Sequence, residues 1–371
     1  MLKRLYIDNF RCLVNFELSF DSINLLLGGN GAGKSTIFDV LWRLQAFIRG
    51  NKVDSIFFAI QCTRWQTSPI QSFELEIEGN GGNYKYELAI WHDREKYRCR
   101  VQHERLWFNN QQLLECDQSG KVQIYRDDHS KSAEYSLDLS QSILPLLMAE
   151  DHNTKLTWFK QRLERLMIIQ VNPSGMIDGS NSVEMRLNPN MSNYASWYRY
   201  LSQDQGKIFE LRDKLKEVLE GFDSFKFVDF GSQNYVLKVN FLEDSNTKKH
   251  EYQLSELSDG QRTLIALYTL ICSTQSEDYT LCIDEPENFL ALPEIQPWLN
   301  LVYDLCSEKK LQVLLISHHP KLINYLALSV GYWFTRQANT PVRVKKISKD
   351  DNDTGLPMSE LVERGWLYDP A

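Results

Sequence analysis

The residues best suited to chemistry lie in "GGNGAGKS", positions 28–35, where Gly28, Gly33, Lys34 and Ser35 fit G-x-x-x-x-G-K-[ST] without a mismatch. Backbone N–H groups converge on a phosphate only where no side chain intrudes and unusual φ/ψ values are tolerated, which glycine permits. Asn30, Gly31, Ala32, Gly33 and Thr36 would line such a cradle, Lys34 would reach the β- and γ-phosphates, and the Ser35 hydroxyl would enter a Mg²⁺ shell. A glycine-rich turn that binds nothing is the alternative. A carboxylate pair, Asp284 and Glu285, sits in "TLCIDEPENF" directly after an apolar run. Asp284 suits Mg²⁺ held through its water shell, and Glu285 suits orienting or deprotonating an attacking water. An acidic surface turn is the competing reading of "DEPE". "LLISHHP" ends another apolar run with His318 and His319, read as a γ-phosphate sensor or as ordinary polar strand-end residues. Neighbouring strand residues point opposite ways, and no spaced cysteine or carboxylate cluster completes a metal site. In "LSELSDGQRTLIAL", Ser258 suits a helix N-cap before the apolar stripe Leu264, Ile265, Leu267 and Leu270. With Gly260 it also makes a second helix end able to meet an anion.

Alternation and turn residues supply the elements that must hold these groups. Residues 2–27 predict two strands, "LKRLYIDNF" and "NFELSFDSINLLL", running into the phosphate loop, and Ile37, Val40, Leu41 and Leu44 predict a helix after it. Then "QSFELEIEG", "NYKYELAIWHD" and "YRCRVQHERLWFN" predict an antiparallel meander. "TKLTWFKQRLERLM" predicts a helix over 154–167, and "IIQVNP" a short strand. A longer helical segment follows over 192–220, broken near Gly206 and stopped by Gly221. After "SFKFVDF" and "YVLKVNFLE" the pattern becomes apolar strand, helix, apolar strand, placing Asp284 at a sheet's C-terminal edge, where open α/β sheets bind ligands.

Composition bounds the rest. A chain of 371 residues with 43% hydrophobic and 12% aromatic content can bury a substantial core in one large domain or two lobes. The net charge of -8 argues against a protein that is basic all over and leaves nucleic acid binding unsupported, although Lys155, Lys160, Arg162 and Arg165 could form one basic helix face, which as a type is more often merely solvated. Seven cysteines with no C-x-x-C pair argue against a disulfide framework or zinc site and for a reducing compartment. The N-terminus lacks the apolar core of a signal peptide, and no apolar run approaches membrane-spanning length, so the expectation is a cytoplasmic protein with no membrane partner.

Taken in order, "NFRCL", "GGNGAGKS", "LSDGQR", "CIDEPE" and "ISHH" resemble the ABC-type ATPase heads of the SMC, RecF and OLD families over most of the chain. The resemblance implies an α/β fold of the P-loop ABC-head type: a central, mostly parallel sheet flanked by helices, an antiparallel β lobe and a small helical lobe. It implies one head in two interleaved lobes over 1–371. The parts would be 1–60 for the phosphate loop, or Walker A, and its helix; 71–150 for the β region; 154–222 for a helical insertion; 223–335 for signature, Walker B and switch histidine; and 336–371 for a tail. It further implies an ATPase with ATP and Mg²⁺, and Ser258 and Gly260 acting on nucleotide held by a second copy, so that a homodimer sandwiches two ATPs. His318 matches the switch histidine, Gln170 is the candidate Q-loop glutamine against Gln61 and Gln66, and Arg11 falls near the nucleotide or is a solvated strand residue. The short gap between phosphate loop and signature departs from the long coiled coil of SMC proteins. OLD proteins append a nuclease, and "DDNDTG", residues 350–355, reads as a polar loop rather than its metal site. The likeness to compact bacterial ATPases with an "LSDGQR" signature and an "RGW" tail implies a switch that controls a separate effector, such as a nuclease, in antiphage defence or DNA maintenance. A RecF-like, ATP-gated DNA clamp is the alternative.

Overall fold

A computed structural model describes residues 1–243, 248–275, 278–348, 355–364 and 367. Most of the "DDNDTG" segment, and Gly365 and Trp366 of the "RGW" tail, lie outside the described residues. The chain divides into two compact units interleaved in sequence, Met1–Leu166 with Ile323–Ala371, and Met167–Leu322.

The first unit holds an eight-stranded antiparallel sheet in the order Phe16–Ser19, Leu2–Asp8, Ile70–Gly79, Gly82–Asp93, Arg98–Phe108, Gln111–Cys116, Lys121–Tyr125, Lys131–Ser136. Its long strands alternate buried and half-exposed residues, as a sheet with one covered face must. Leu5, Ile7, Phe73, Leu75, Tyr86 and Leu88 form part of its buried layer. The run "NFELSFDSINLLL" is two strands rather than one. Asn24 closes a turn against Asp21, its Oδ1 accepting from the Asp21 N–H and its Nδ2 donating to the Asp21 carbonyl, both at 2.9 Å. Phe16–Ser19 therefore stays in the antiparallel sheet, while Ile23–Gly28 pairs in parallel with Gly331–Thr335. All six residues of Ile23–Gly28 are buried, the pattern of a parallel strand covered on both faces. Each fully buried aliphatic side chain there contributes about 1.5–3 kcal/mol.

In the second unit, Thr280–Asp284 and Gln312–Ile316 pair in parallel, and both are almost wholly buried. A separate antiparallel sheet joins Gly179–Ser180, Tyr235–Leu242, Phe222–Asp229 and Lys249–Gln253, so the two strands expected at "SFKFVDF" and "YVLKVNFLE" pair with each other, with a short strand from the helical segment added at the edge. The predicted helix over 154–167 ends at Glu164, because the apolar run Leu166–Gln170 is already strand. The break expected near Gly206 lies just before it. Asp204 caps a new helix, Gln205–Val218, its carboxylate accepting from the N–H groups of Gly206 and Lys207. Among the described residues no helix is long and apolar enough to cross a membrane.

Candidate functional site

The phosphate loop belongs to the first unit. Gly28 has φ +141°, and a Cβ there would lie 2.3 Å from the Phe334 carbonyl oxygen on the neighbouring strand. Gly33, at φ +97°, is as constrained, since a Cβ would meet Val342 at 2.9 Å and the Cys12 sulfur at 3.2 Å. Gly29 and Gly31 are different, because a Cβ at either would meet nothing within 4 Å among the described residues. Two glycines are therefore dictated by packing, while the other two border open space, as a ligand cradle requires. Asn30 is exposed, Ala32 is buried, and Gly33 leads into the helix Lys34–Ile48. Lys34 is only 6% exposed, and its ammonium donates to the carbonyls of Gly28 at 2.7 Å and Gly29 at 3.1 Å. Ser35 is exposed in the first turn and Thr36 is buried behind it. No acidic residue occupies that first turn, so the helix's own sequence leaves its positive end to other partners. A cation, a helix N-terminus and open backbone suit a polyphosphate. The Ser35 hydroxyl and, in the second unit, the Asp284 carboxylate are hard oxygen donors of the kind Mg²⁺ takes.

Arg11 is not a strand residue. It occupies a turn at φ +50°, its N–H donating to the Gln61 carbonyl at 2.6 Å and its guanidinium meeting Asp39 of the loop helix at 3.0 Å. Asp39 also pairs with Arg43 at 3.0 Å, and Arg43 in turn donates to the Ile56 carbonyl. The next segment, 59–70, is held by a buried polar network. Asn9 Nδ2 donates to the carbonyls of Ser68 and Ile70, Asn9 Oδ1 accepts from the Thr63 N–H, and Gln71 Nε2 donates to the Asn9 carbonyl. His92 completes it through Gln71 at 2.8 Å, and burial pushes the His92 pKa down to about 4, with Arg94 adding to the shift. This segment presents Trp65, 38% exposed, with the Arg336 guanidinium 5.7 Å from its ring centre. Arg336 also donates to the Gly31 carbonyl at 3.5 Å, which sets the aromatic and the cation at the edge of the phosphate loop. No sequence motif marks that pairing.

In the second unit, Asp284 ends its strand half-buried. Glu285 follows at φ +52°, its N–H donating to the Ile316 carbonyl at 2.9 Å and its Oε2 accepting from Asn288 at 2.7 Å. His318 and His319 separate by environment. His319 Nδ1 accepts from the Lys321 N–H at 3.2 Å, capping the next helix, and burial with Lys321 lowers its pKa. His318 is exposed, which makes it the better placed of the two to meet a ligand. Among the described residues no group of three metal-ligating side chains forms.

Ser258 is an N-cap with a complete capping box. Its hydroxyl accepts from the Gln261 N–H at 3.2 Å, and Gln261 Oε1 accepts from the Ser258 N–H at 3.0 Å. Ser258 is exposed, and Asp259 pairs with Arg262 at 2.7 Å. Gly260 is required locally, since a Cβ would lie 2.9 Å from the Phe289 carbonyl oxygen. Gln170 is exposed at its strand end, its N–H donating to the Pro189 carbonyl at 2.9 Å. Gln61 is buried and engaged, its Oε1 accepting from the Phe58 N–H. The possible basic helix face does not form: Arg162 is 2% exposed, and the ammonium groups of Lys155 and Lys160 donate to carbonyls of Asp127 and Pro145.

Two residues outside the expected set stand out. Gln45, on the loop helix, donates to the carbonyls of Leu163 and Leu166, tying that helix to the end of the helix Thr154–Glu164 and the residues just after it. Glu287, the second glutamate of "DEPE", is buried and accepts from the Ser317 hydroxyl at 2.6 Å.

Comparison with known proteins agrees with this architecture. One similar structure, described as "Crystal structure of the SmcHead bound to the C-winged helix domain of ScpA", superposes with a TM-score of 0.55 at 9% identity, covering 94% of this chain and 98% of that one. A second, an Smc head with an extended coiled coil bound to the C-terminal domain of ScpA derived from Pyrococcus furiosus, gives 0.50 at 9% identity, covering 93% and 96%. At such identity the likeness is one of fold, and the fold is that of an SMC-like, ABC-type ATPase head of the P-loop class. Residues 23–324 match the family described as "AAA domain, putative AbiEii toxin, Type IV TA system", and the chain belongs to that family. No curated protein matches it in sequence.

Proposed function

We propose that this chain is an ATP-hydrolysing switch, two copies of which close on ATP and reopen after hydrolysis to control a separate effector in bacterial defence. The observation that carries the reading is the phosphate loop: open backbone at Gly29 and Gly31, the Lys34 ammonium drawn over the loop, and a helix end with no acidic residue in its first turn. Lys34 and the loop N–H groups bind the β- and γ-phosphates, while Trp65 with Arg336 offers the base a flat, cationic edge. Ser35 and Asp284 are the residues that would hold Mg²⁺, which would supply charge neutralisation at the transferring phosphoryl group. Glu285 orients and deprotonates the attacking water, with Gln170 and His318 contacting water and γ-phosphate. Ser258 and Gly260 complete the site of the other copy.

A switch changes a population, and the change matters only to a partner that binds one state better. The SMC heads above are described as bound to domains of ScpA, and the family description names a toxin of a toxin–antitoxin system; both fit a head that works with a second polypeptide. The test is Glu285→Gln. It should bind ATP and hold two copies together while losing at least about a hundredfold in turnover. Hydrolysis at the parental rate would reject Glu285 as the base, and absence of hydrolysis by the parent would reject the function.

A further inference from the structure

Glu287 is placed as few glutamates are. It is 7% exposed, its Oε1 accepts from the Ser317 hydroxyl at 2.6 Å and the His318 N–H at 3.3 Å, and among the described residues its buried Oε2 has no hydrogen-bond partner. A buried ionised carboxylate with an idle oxygen is costly, and burial, with Glu285 nearby, pushes this carboxyl's pKa above the usual range. Packing alone does not call for such a residue, because an apolar side chain would avoid the desolvation.

Its neighbours indicate what it does. The turn after the strand Thr280–Asp284 contains two non-glycine residues in the left-handed region, Glu285 at φ +52° and Phe289 at φ +72°. Such conformations persist only where surrounding bonds over-determine them. Here the bonds are the Glu285 N–H to the Ile316 carbonyl, the Asn288 N–H to the Glu285 carbonyl and the Leu290 N–H to the Glu287 carbonyl. Glu287 adds the side-chain link from this turn to Ser317 and His318, and the same Ser317 hydroxyl accepts from the His319 N–H at 3.0 Å. Phe289, at the far end of the turn, sets its carbonyl against Gly260.

We infer that Glu287 is a positioning residue which fastens the turn bearing Glu285 to the segment bearing His318, so that the proposed base and the proposed γ-phosphate sensor move as one piece. The inference rests on the function proposed above. It assigns Glu287 no contact with nucleotide. What it requires of the side chain is an acceptor at Oε1, which a glutamine also provides.

The experiment compares Glu287→Ala, Glu287→Gln and the parent by ATP turnover, ATP affinity, melting temperature and amide hydrogen exchange of the segment 316–320. Glu287→Ala should lower kcat roughly tenfold to a hundredfold, the scale of a small misplacement of reacting groups, with ATP affinity nearly unchanged and exchange at His318 accelerated. Glu287→Gln should recover most of both losses. A residue that merely supports the fold would instead lower melting temperature and ATP affinity together. Unchanged exchange and turnover in Glu287→Ala, or a glutamine no better than alanine, would overturn the inference. If the alanine variant does not fold, Ser317→Ala, which removes one of the two donors, carries the same comparison. If the parent does not hydrolyse ATP, the function reading fails, and hydrogen exchange alone decides whether Glu287 holds the segment.

Discussion

Ser258→Asp separates the two jobs that Ser258 can perform. Locally it is a helix cap whose hydroxyl accepts from the Gln261 N–H at 3.2 Å. Aspartate caps a helix as well as serine does and favours the positive end of the helix, so the substitution should leave stability within about 0.5 kcal/mol of the parent. In the proposed dimer the same position faces the γ-phosphate held by the other copy. A unit charge about 5 Å from a phosphate charge, at an effective dielectric constant of 20, repels it by about 3 kcal/mol, a factor of at least roughly 100 at each of the dimer's two sites. The assay is light scattering of the Glu285→Gln protein, with and without Ser258→Asp, at saturating ATP, beside a thermal melt of each. The expected result is an unshifted melt and loss of the ATP-dependent dimer. Undiminished ATP-dependent dimerisation in the aspartate variant would refute the contact in trans and leave Ser258 a cap alone.

Three further outcomes follow from particular distances and environments. Gly28→Ala must displace the Phe334 carbonyl, 2.3 Å from the added methyl, and should cost roughly 1–3 kcal/mol by thermal melt, whereas Gly29→Ala meets nothing within 4 Å and should melt with the parent. Trp65→Ala should raise the KM for ATP with little effect on kcat, as loss of a contact made equally in ground and transition states does; steady-state kinetics checks this. Glu104 is buried, accepts from Tyr86 and Ser142 hydroxyls, and has its pKa raised by burial from 4.5 to about 7. Its raised folded-state value means stability is full below about pH 4.5 and falls as pH rises towards 7. Glu104→Gln should accordingly raise the melting temperature at pH 8 relative to the parent, with that advantage fading by pH 5.

The phosphate loop was legible because its pattern is local: strand, glycines, lysine and helix are consecutive, although the groups that exclude a Cβ at Gly28 and Gly33, on Phe334 and Val342, are distant in sequence. The carboxylates after "TLCI" and the histidines after "LLIS" were legible for the same reason, since a short buried strand announces where it ends. Contacts between distant segments were not. Arg11 looked like a strand residue because nothing in "NFRCL" shows that Phe10 and Leu13 close a turn, with Gln61 taking the Arg11 N–H. The strand run 15–27 hid a boundary that depends on one asparagine, Asn24, turning back on Asp21. Lys155, Lys160 and Arg162 share a helix but not an exposed face, because the helix buries Arg162 and segments distant in sequence supply the carbonyls that hold both lysines. Glu287 was visible as a letter in "DEPE", but its partners lie thirty residues on, and only the parallel pairing of two strands brings them together.

The central claim is that each ATP is turned over between the phosphate loop of one copy and the signature of another. Mixing two inactive variants, Lys34→Ala and Ser258→Arg, tests it directly by ATPase rate. Each variant alone spoils both sites of its own dimer, but a mixed dimer holds one site built entirely from parental parts. Recovery should reach about a quarter of the parental rate at equal mixing, since half of the dimers are mixed and each has one intact site of two. No recovery, with mixed dimers shown to form, would contradict the account.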